Sequence, residues 1–448
     1  MAELVRVPFE GESSGAGELT WGQLDIWGAM QRQRSALTFG GAFPLPPGTT
    51  VGQVAADLGY LMGRHDALRT RLRFAADGHP QQVVSKSGET ALEVIDPGDD
   101  DPAEVGAGTY ERYVDMGFDY ERDWPMRWGV VARRGIASHL VSGICHIAAD
   151  GMGAMALMRD LARRDPATGA APGPVTAMQP LELVSLQRGP AAQRQNQAAL
   201  RYWERTLRSV PARRLPESAD RREPRYWQAC LDSPAILLAA QIIAERCQVS
   251  TSIVVLAAYA AMLSRITGID PAVVMVVVDN RFRRGLADVV SPMCSPTPCV
   301  IDIAGRGFIE VVTATWRTSL NAYKLAYYDP LQRVELEQRI GSERGEMVDT
   351  NCFLNDRRMQ NLQEVQDLQE VPQRPPTADD VRAALGRSAF AWGWRRDQPN
   401  DKYFLSINNV PGTLCLDLYA DTHWVAPADM EACLRGIESM IVETALGL

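Results

Sequence analysis

His146 stands in Ile144-Cys145-His146-Ile147-Ala148-Ala149-Asp150-Gly151, with an aspartate four positions on and a glycine beside it. Histidine has the side-chain pKa nearest neutrality, so His146 can take a proton at pH 7. Asp150 can brace the bend through a charged partner, and Gly151 permits close backbone approach. As an isolated string, H-x-x-x-D-G fits a structural histidine near a turn as well as a site.

The rival chemistries are weaker. Gly11-Glu12-Ser13-Ser14-Gly15 matches the letters of a hydrolase nucleophile elbow, but no buried strand feeds it directly into a helix, so Ser13 reads as a loop residue. Cys145 and His146 are neighbours along the chain and cannot make the nucleophile–base hydrogen bond that thiol activation requires. His65 follows Leu58 and Leu61 at helical spacing and reads as buried and structural. His79, His139 and His423 have no acidic or cysteine partner at a recognisable spacing. Cys294 and Cys299 have no nearby histidine, no C-x-x-C occurs, and no metal site is expected. Neither a dinucleotide fingerprint nor a phosphate loop is present.

Local patterns predict the elements that position these residues. Leu4 to Phe9 alternates as a half-buried strand, and Gly11 to Gly17 is a turn. Thr20 and Gln23 form a capping box for a helix from Trp21, and a second helix runs from Val51. Val130 to His146 reads as a strand pair broken near Gly135, ahead of a helix from Met155 to Arg164. In the second half, helices are expected around Ala198 to Leu207 and from Pro234 to Gly268. Val273 to Val278, Val348 to Leu354, Tyr403 to Ile407 and Leu414 to Tyr419 are strands. Residues 360–380 read as a surface excursion. Trp392 and Trp394 share one face of a strand and fit a core. The organisation is two α/β lobes: residues 1–170 with the His146 motif, a Pro- and Gly-rich linker over 171–195, and residues 196–448.

The 448 residues are 46% apolar and 23% charged, enough for a large core. The formal charge of −9 argues against a nucleic-acid partner and against a polybasic membrane role. Eight cysteines are too sparse for a disulfide scaffold. The start lacks the features of a signal peptide, and Ile253 to Leu263 falls short of the ~18 apolar residues of a membrane span. The expectation is a soluble cytoplasmic protein with no membrane partner.

Three segments occur in a set order: Leu19-Thr20-Trp21-Gly22-Gln23 with Trp27, then Arg64-His65-Asp66-Ala67-Leu68-Arg69-Thr70, then His146 to Gly151. Together they resemble the condensation-domain family of nonribosomal peptide synthetases. Tyr202-Trp203, Ser250 to Gly268, Asp279-Asn280-Arg281 and Tyr327-Tyr328-Asp329-Pro330 are similar to later family features. Two segments depart from it. Cys145 stands where the family has the first histidine of a doublet, and Val289 to Cys294 replaces a Val-Gly-x-Phe-x-Asn segment.

The resemblance implies an α/β fold of two chloramphenicol-acetyltransferase-like lobes in a V-shaped pseudo-dimer, with the active-site tunnel between them. It implies a free-standing condensation-type acyltransferase that joins an acyl thioester to an amine or hydroxyl in natural-product biosynthesis. His146 would be the general base or hydrogen-bond acceptor, and the Gly151 N–H would hold the oxyanion. Asp150 would be architectural, paired with Arg281. Cys145, expected to face away from His146 by strand alternation, is with Asn351 and Trp394 a candidate for the tunnel wall. No tightly bound cofactor is expected, because the substrate arrives activated on phosphopantetheine or coenzyme A. The partners would be an acyl or peptidyl carrier protein and a small-molecule amine or alcohol. The competing readings are a coenzyme-A-dependent O- or N-acyltransferase and a catalytically silent recruiting domain.

Overall fold

The computed structural model describes residues 3–165, 168–171, 173–358 and 374–448. The chain folds into two compact units, Met1–Gln193 with Asp279–Cys294, and Arg194–Val278 with Ser295–Leu448.

The first unit runs β1 (Glu3–Glu10), β2 (Gly15–Glu18), α1 (Trp21–Gln33), β3 (Phe39–Pro44), α2 (Val51–Arg64), β4 (Thr70–Phe74), β5 (Pro80–Val84), β6 (Ser87–Ile95), α3 (Pro102–Asp115), β7 (Met126–Arg133), β8 (Ile136–Ile144), α4 (Gly151–Ala162) and α5 (Pro180–Arg188). Its strands form one sheet in the order β1-β6-β7-β8-β3 and a smaller one in the order β2-β5-β4. β7 and β8 form a hairpin across Arg134-Gly135, both at positive φ (53° and 81°), as a two-residue turn matched to strand twist requires. This hairpin delivers the chain to His146. α1 begins with the capping box its spacing predicts: Gln23 N–H donates to the Thr20 hydroxyl, and Thr20 N–H donates to the Gln23 side chain.

Gly22 of α1 packs on the backbone of the 279–294 segment. A Cβ at position 22 would lie 1.8 Å from the Pro292 carbonyl oxygen, and backbone cannot swing aside as a side-chain tip can. Gly22→Ala should therefore destabilise the protein by about 1–3 kcal/mol, the usual cost of overpacking. An unchanged urea midpoint would show that this contact is not made.

The second unit runs α6 (Pro190–Ser209), which starts at the unit boundary, then β9 (Tyr226–Ser233), α7 (Pro234–Cys247), α8 (Thr251–Thr267), β10 (Ala272–Asp279), β11 (Cys294–Ile301), α9 (Phe308–Lys324), α10 (Pro330–Arg344), β12 (Cys352–Asp356), α11 (Ala378–Leu385), β13 (Ala389–Arg396), β14 (Tyr403–Val410), β15 (Thr413–Asp421) and α12 (Pro427–Leu446). Seven strands pair in the order β11-β10-β12-β14-β15-β9-β13. On one face Ala229, Leu231, Leu405, Ile407, Leu414, Leu416 and Leu418 pack with α7, α8 and α12. At the β10–β12 end, Met275 turns to the other face and packs with Trp203 of α6, Tyr328 and Leu336. Among the described residues no single helix is long and apolar enough to cross a membrane. α7 and α8 pass that test only as a pair bent by 104°, and α8 is buried in this core.

Three expectations are corrected and one, the helical run from Pro234, is resolved further. From Pro180 on, the stretch expected to be a spacer is helical instead: α5 buries Leu183 and Val184, and Leu181 packs on Gly15 and Gly17 of β2. The boundary at 195 also fails to divide the chain cleanly, because residues 279–294 fold with the first unit. The apolar run from Pro234 is two helices, since Gln248 takes the left-handed conformation that ends α7. The strand expected from Val348 begins at Cys352. Most of the excursion expected over 360–380 lies outside the described residues, and α11 occupies its end.

Candidate active site

β8 ends at Ile144, and the chain turns over Cys145–Ala148, closed by Ala148 N–H donating to the Cys145 carbonyl at 3.0 Å. Three more bonds pin this turn. Cys145 N–H donates to the Pro125 carbonyl (2.8 Å), His146 N–H to the Ala36 carbonyl (3.2 Å), and Gln23 Nε2 of α1 to the Ile147 carbonyl (3.4 Å). The His146 ring is half-buried, 5.3 Å from the Phe39 ring, and its Nδ1 lies 3.0 Å from the Ala149 carbonyl oxygen. A carbonyl can only accept, so Nδ1 carries a proton, and in the neutral ring the lone pair is on Nε2. That is the tautomer a general base needs.

Gly151 opens α4 with Asp150 as its N-cap. N–H groups in a first helical turn have no intrahelical acceptor and sit at the positive end of the helix dipole. A negative charge developing on an oxygen near His146 suits this position.

Asp150 is 3% exposed, and all its ties lie within the first unit. Arg281 Nη1 donates to its Oδ2 at 2.9 Å, and Nη2 sits 2.8 Å from its Oδ1, giving a two-pronged ion pair. Gly153 N–H and Met293 N–H each donate to it at 2.8 Å. Arg281 also donates to the Val289 and Ser291 carbonyls and to Asp279. Burial alone would raise the Asp150 pKa; the Arg281 charge and these hydrogen bonds outweigh it and lower it. Gly153 is needed for this closeness, since a Cβ there would meet Ala149 at 3.1 Å and Arg281 at 3.3 Å.

Asp150, Asp279 and Cys294 offer ligand atoms within 4.8 Å of one another, a spacing a metal could use. Arg281 Nη1 bonds both carboxylates, at 2.9 and 3.0 Å, so the guanidinium supplies the positive charge there. The thiol of Cys294 is pushed well above its ordinary pKa, first by burial and then by the two carboxylates, and is a poor ligand.

Cys145 does not alternate with His146 on a strand, because both lie past the end of β8. Packing separates them instead. Cys145 is fully buried among Leu19, Met30, Ala36, Leu72 and Ile147, with Sγ 3.7 Å from the Ala36 carbonyl oxygen. Burial pushes its thiol up to about 12. With Gln23, Tyr120 and Ile147 it lines a cavity of about 10 Å³, room for one water. Cys145→Ala should cost stability but keep most of any activity that His146 supports; an assay in which Cys145→Ala is slower than His146→Ala would contradict this placement.

The remaining candidates have separate places. His65 caps α2, 2% exposed, with Nε2 3.0 Å from Asp160 of α4, which also takes Arg64 at 2.7 Å. Ser13 lies in a loop and donates to Asp66. In the second unit, Asn351 is not on a strand: it precedes β12, half-buried, and donates to Asp349. Trp392 and Trp394 face opposite ways, because a bulge between Trp392 and Arg395 shifts the register. Trp392 meets Trp227 and Phe390, whereas Trp394 meets Tyr419. The Ala149 carbonyl and the Met293 N–H are backbone groups and leave no mark in the residue types. Asp279, two residues before Arg281, could have been found from its charge.

The isonitrile lipopeptide synthase of Mycobacterium tuberculosis is 27% identical over 335 residues, covering 68% of this chain and 13% of that protein. The probable non-canonical nonribosomal peptide synthetase CymA of Salinispora arenicola is 27% identical over 326 residues, covering 68% of this chain and 4% of that protein. The chain thus spans a small part of the curated relatives it matches. Among solved structures, the SgcC5 protein of Streptomyces globisporus superposes with a TM-score of 0.70 at 19% identity, covering 96% of this chain and 98% of that one. The condensation domain of the monacolin K polyketide synthase MokA superposes at 0.71 with 15% identity, covering 97% and 98%. These likenesses show the fold, two lobes of the chloramphenicol-acetyltransferase type. The condensation-domain model matches residues 29–390, and the chain belongs to that family.

Proposed function

We propose that the chain is a condensation-type acyltransferase that moves an acyl group from the phosphopantetheine thioester of a carrier protein to an amine or hydroxyl. The observation that carries this reading is the 3.0 Å contact of His146 Nδ1 with the Ala149 carbonyl, which in the neutral ring puts the lone pair on Nε2, in the turn that leads to the helix Gly151 opens. His146 Nε2 takes the proton of the nucleophile as its nitrogen or oxygen attacks the thioester carbonyl. The Gly151 N–H stabilises the oxyanion of the tetrahedral intermediate. Collapse breaks the C–S bond, and the departing thiolate takes the proton back from His146. The thioester arrives activated, so neither a metal nor a bound cofactor enters the chemistry.

Cys145 in place of a histidine does not weigh against catalysis on this reading, because it occupies a packing position. The relative SgcC5 is seen in complex with a naphthyl-substituted ethanediol; for this chain the hydroxyl acceptor therefore stands beside the amine. Equal amounts of acyl carrier protein thioester and acyl-coenzyme A, each offered with amines and alcohols, test the reading by mass spectrometry of the products. Faster transfer from the carrier supports it. Faster transfer from coenzyme A favours a small-molecule acyltransferase, and no transfer from either favours a recruiting domain.

A further inference from the structure

The seven-stranded sheet carries a row of rings on the face opposite α7, α8 and α12. Phe353 of β12 stacks on Phe404 of β14 (5.4 Å between centroids, planes 19° apart), and Phe404 stacks on Tyr419 of β15 (4.8 Å, 13°). Trp394 of β13 completes the row at 5.8 Å from Tyr419. All four are half-buried. The Phe353 end is closed by the cluster under α6 and α10, while Trp394 lies on an edge strand.

The bulge makes this row. Without the register shift Trp394 would share the face of Trp392, toward Trp227. Gly393 gives the bulge room, since a Cβ there would lie 2.5 Å from Gln228 Oε1. Bulges recur where a side chain has to be re-aimed beside a site.

One step along the strands from the rings, the register sets Asp417 opposite Ser406 and Cys230. Asn408 Nδ2 donates to Asp417 at 2.6 Å, and among the described residues no ion pair reaches Asp417. Ser406 is fully buried on this face, and its hydroxyl has no hydrogen-bond partner among the described residues. A buried hydroxyl left unpaired is costly, and a carboxylate beside rings without a counter-charge is an invitation to a cation. The cations nearby sit at the ring end: Arg396 lies 4.9 Å over Trp394, and the Arg357 charge reaches Tyr419.

We propose that this face binds an arylalkylamine, with its flat ring along Tyr419 and Trp394 and its protonated amine on Asp417. A charge-assisted bond holds the ammonium. As a ligand of this sheet the amine stands apart from the acyl transfer proposed above.

Calorimetric titration of the full chain with phenethylamine, neutral phenethyl alcohol and ethylamine tests the proposal. Phenethylamine should bind tighter than the alcohol by about tenfold or more, the worth of one charge-assisted bond, and ethylamine should give no measurable heat. Asp417→Asn should erase the preference for amine over alcohol, and Trp394→Ala should weaken both ring compounds. Equal affinity for amine and alcohol in the unaltered chain overturns the proposal, and that comparison needs no variant to fold. An amine affinity untouched by both substitutions overturns it too. Binding requires no thioester, so intact binding with no acyl transfer overturns the function reading alone, and transfer to amines without this binding overturns the present one.

Discussion

His146→Ala is expected to fold as the parent chain does and to transfer acyl groups about 10²–10⁴-fold more slowly, the range of a lost general base. The separation of rate from stability follows from the site. The His146 ring is half-buried and rests against Phe39, while the bonds that pin its turn come from backbone groups and the Gln23 amide, which alanine leaves in place. The bond of Nδ1 to the Ala149 carbonyl is lost. A stopped rate with an unchanged thermal midpoint supports the assignment. A folded His146→Ala variant with full activity would remove it.

Asp150→Ala and Arg281→Ala should both lower stability by about 3–5 kcal/mol, because each strands the other's charge out of water. Asp150 is 3% and Arg281 5% exposed, so solvent can screen neither. Both variants should also lose activity, since Asp150 caps the helix that Gly151 opens. The pH dependence has a definite sign. The native Asp150 pKa lies below its ordinary value, because the Arg281 charge overcomes the effect of burial. The stability it contributes is therefore complete above about pH 4, where unfolded aspartates ionise, and is lost as the pH falls toward the native value. Urea titrations of the parent and Asp150→Asn should converge in that acid range. Curves that stay a constant distance apart down to the acid limit would contradict the ion pair.

The site was legible where chemistry resides in side chains at fixed spacing. His146, Asp150 and Gly151 could be named because three short motifs occur in order, Arg281 from Asp279-Asn280-Arg281 further on, and the Thr20–Gln23 capping box from two residues. What the residue types could not carry is the backbone. The Ala149 carbonyl fixes the tautomer of His146, and the Met293 N–H and the Val289 and Ser291 carbonyls complete the Asp150–Arg281 network. The second gap was long-range. Residues 279–294 follow a strand of one unit yet fold with the other, and no local periodicity encodes that choice. The third was parity: one extra residue in β13 sends Trp394 to the face opposite Trp392, and period-two alternation does not foresee a bulge.

The most direct test is a single-turnover experiment on a carrier protein loaded with an acyl phosphopantetheine, incubated with a stoichiometric amount of the chain and an excess of amine. The intact mass of the carrier reports the thioester itself. The account predicts that the parent chain returns the carrier to its unacylated mass while the amide accumulates, and that His146→Ala leaves the carrier acylated over the same interval. Deacylation at equal rates by the two proteins, or a carrier that stays acylated with the parent chain across amine and alcohol acceptors alike, would contradict it.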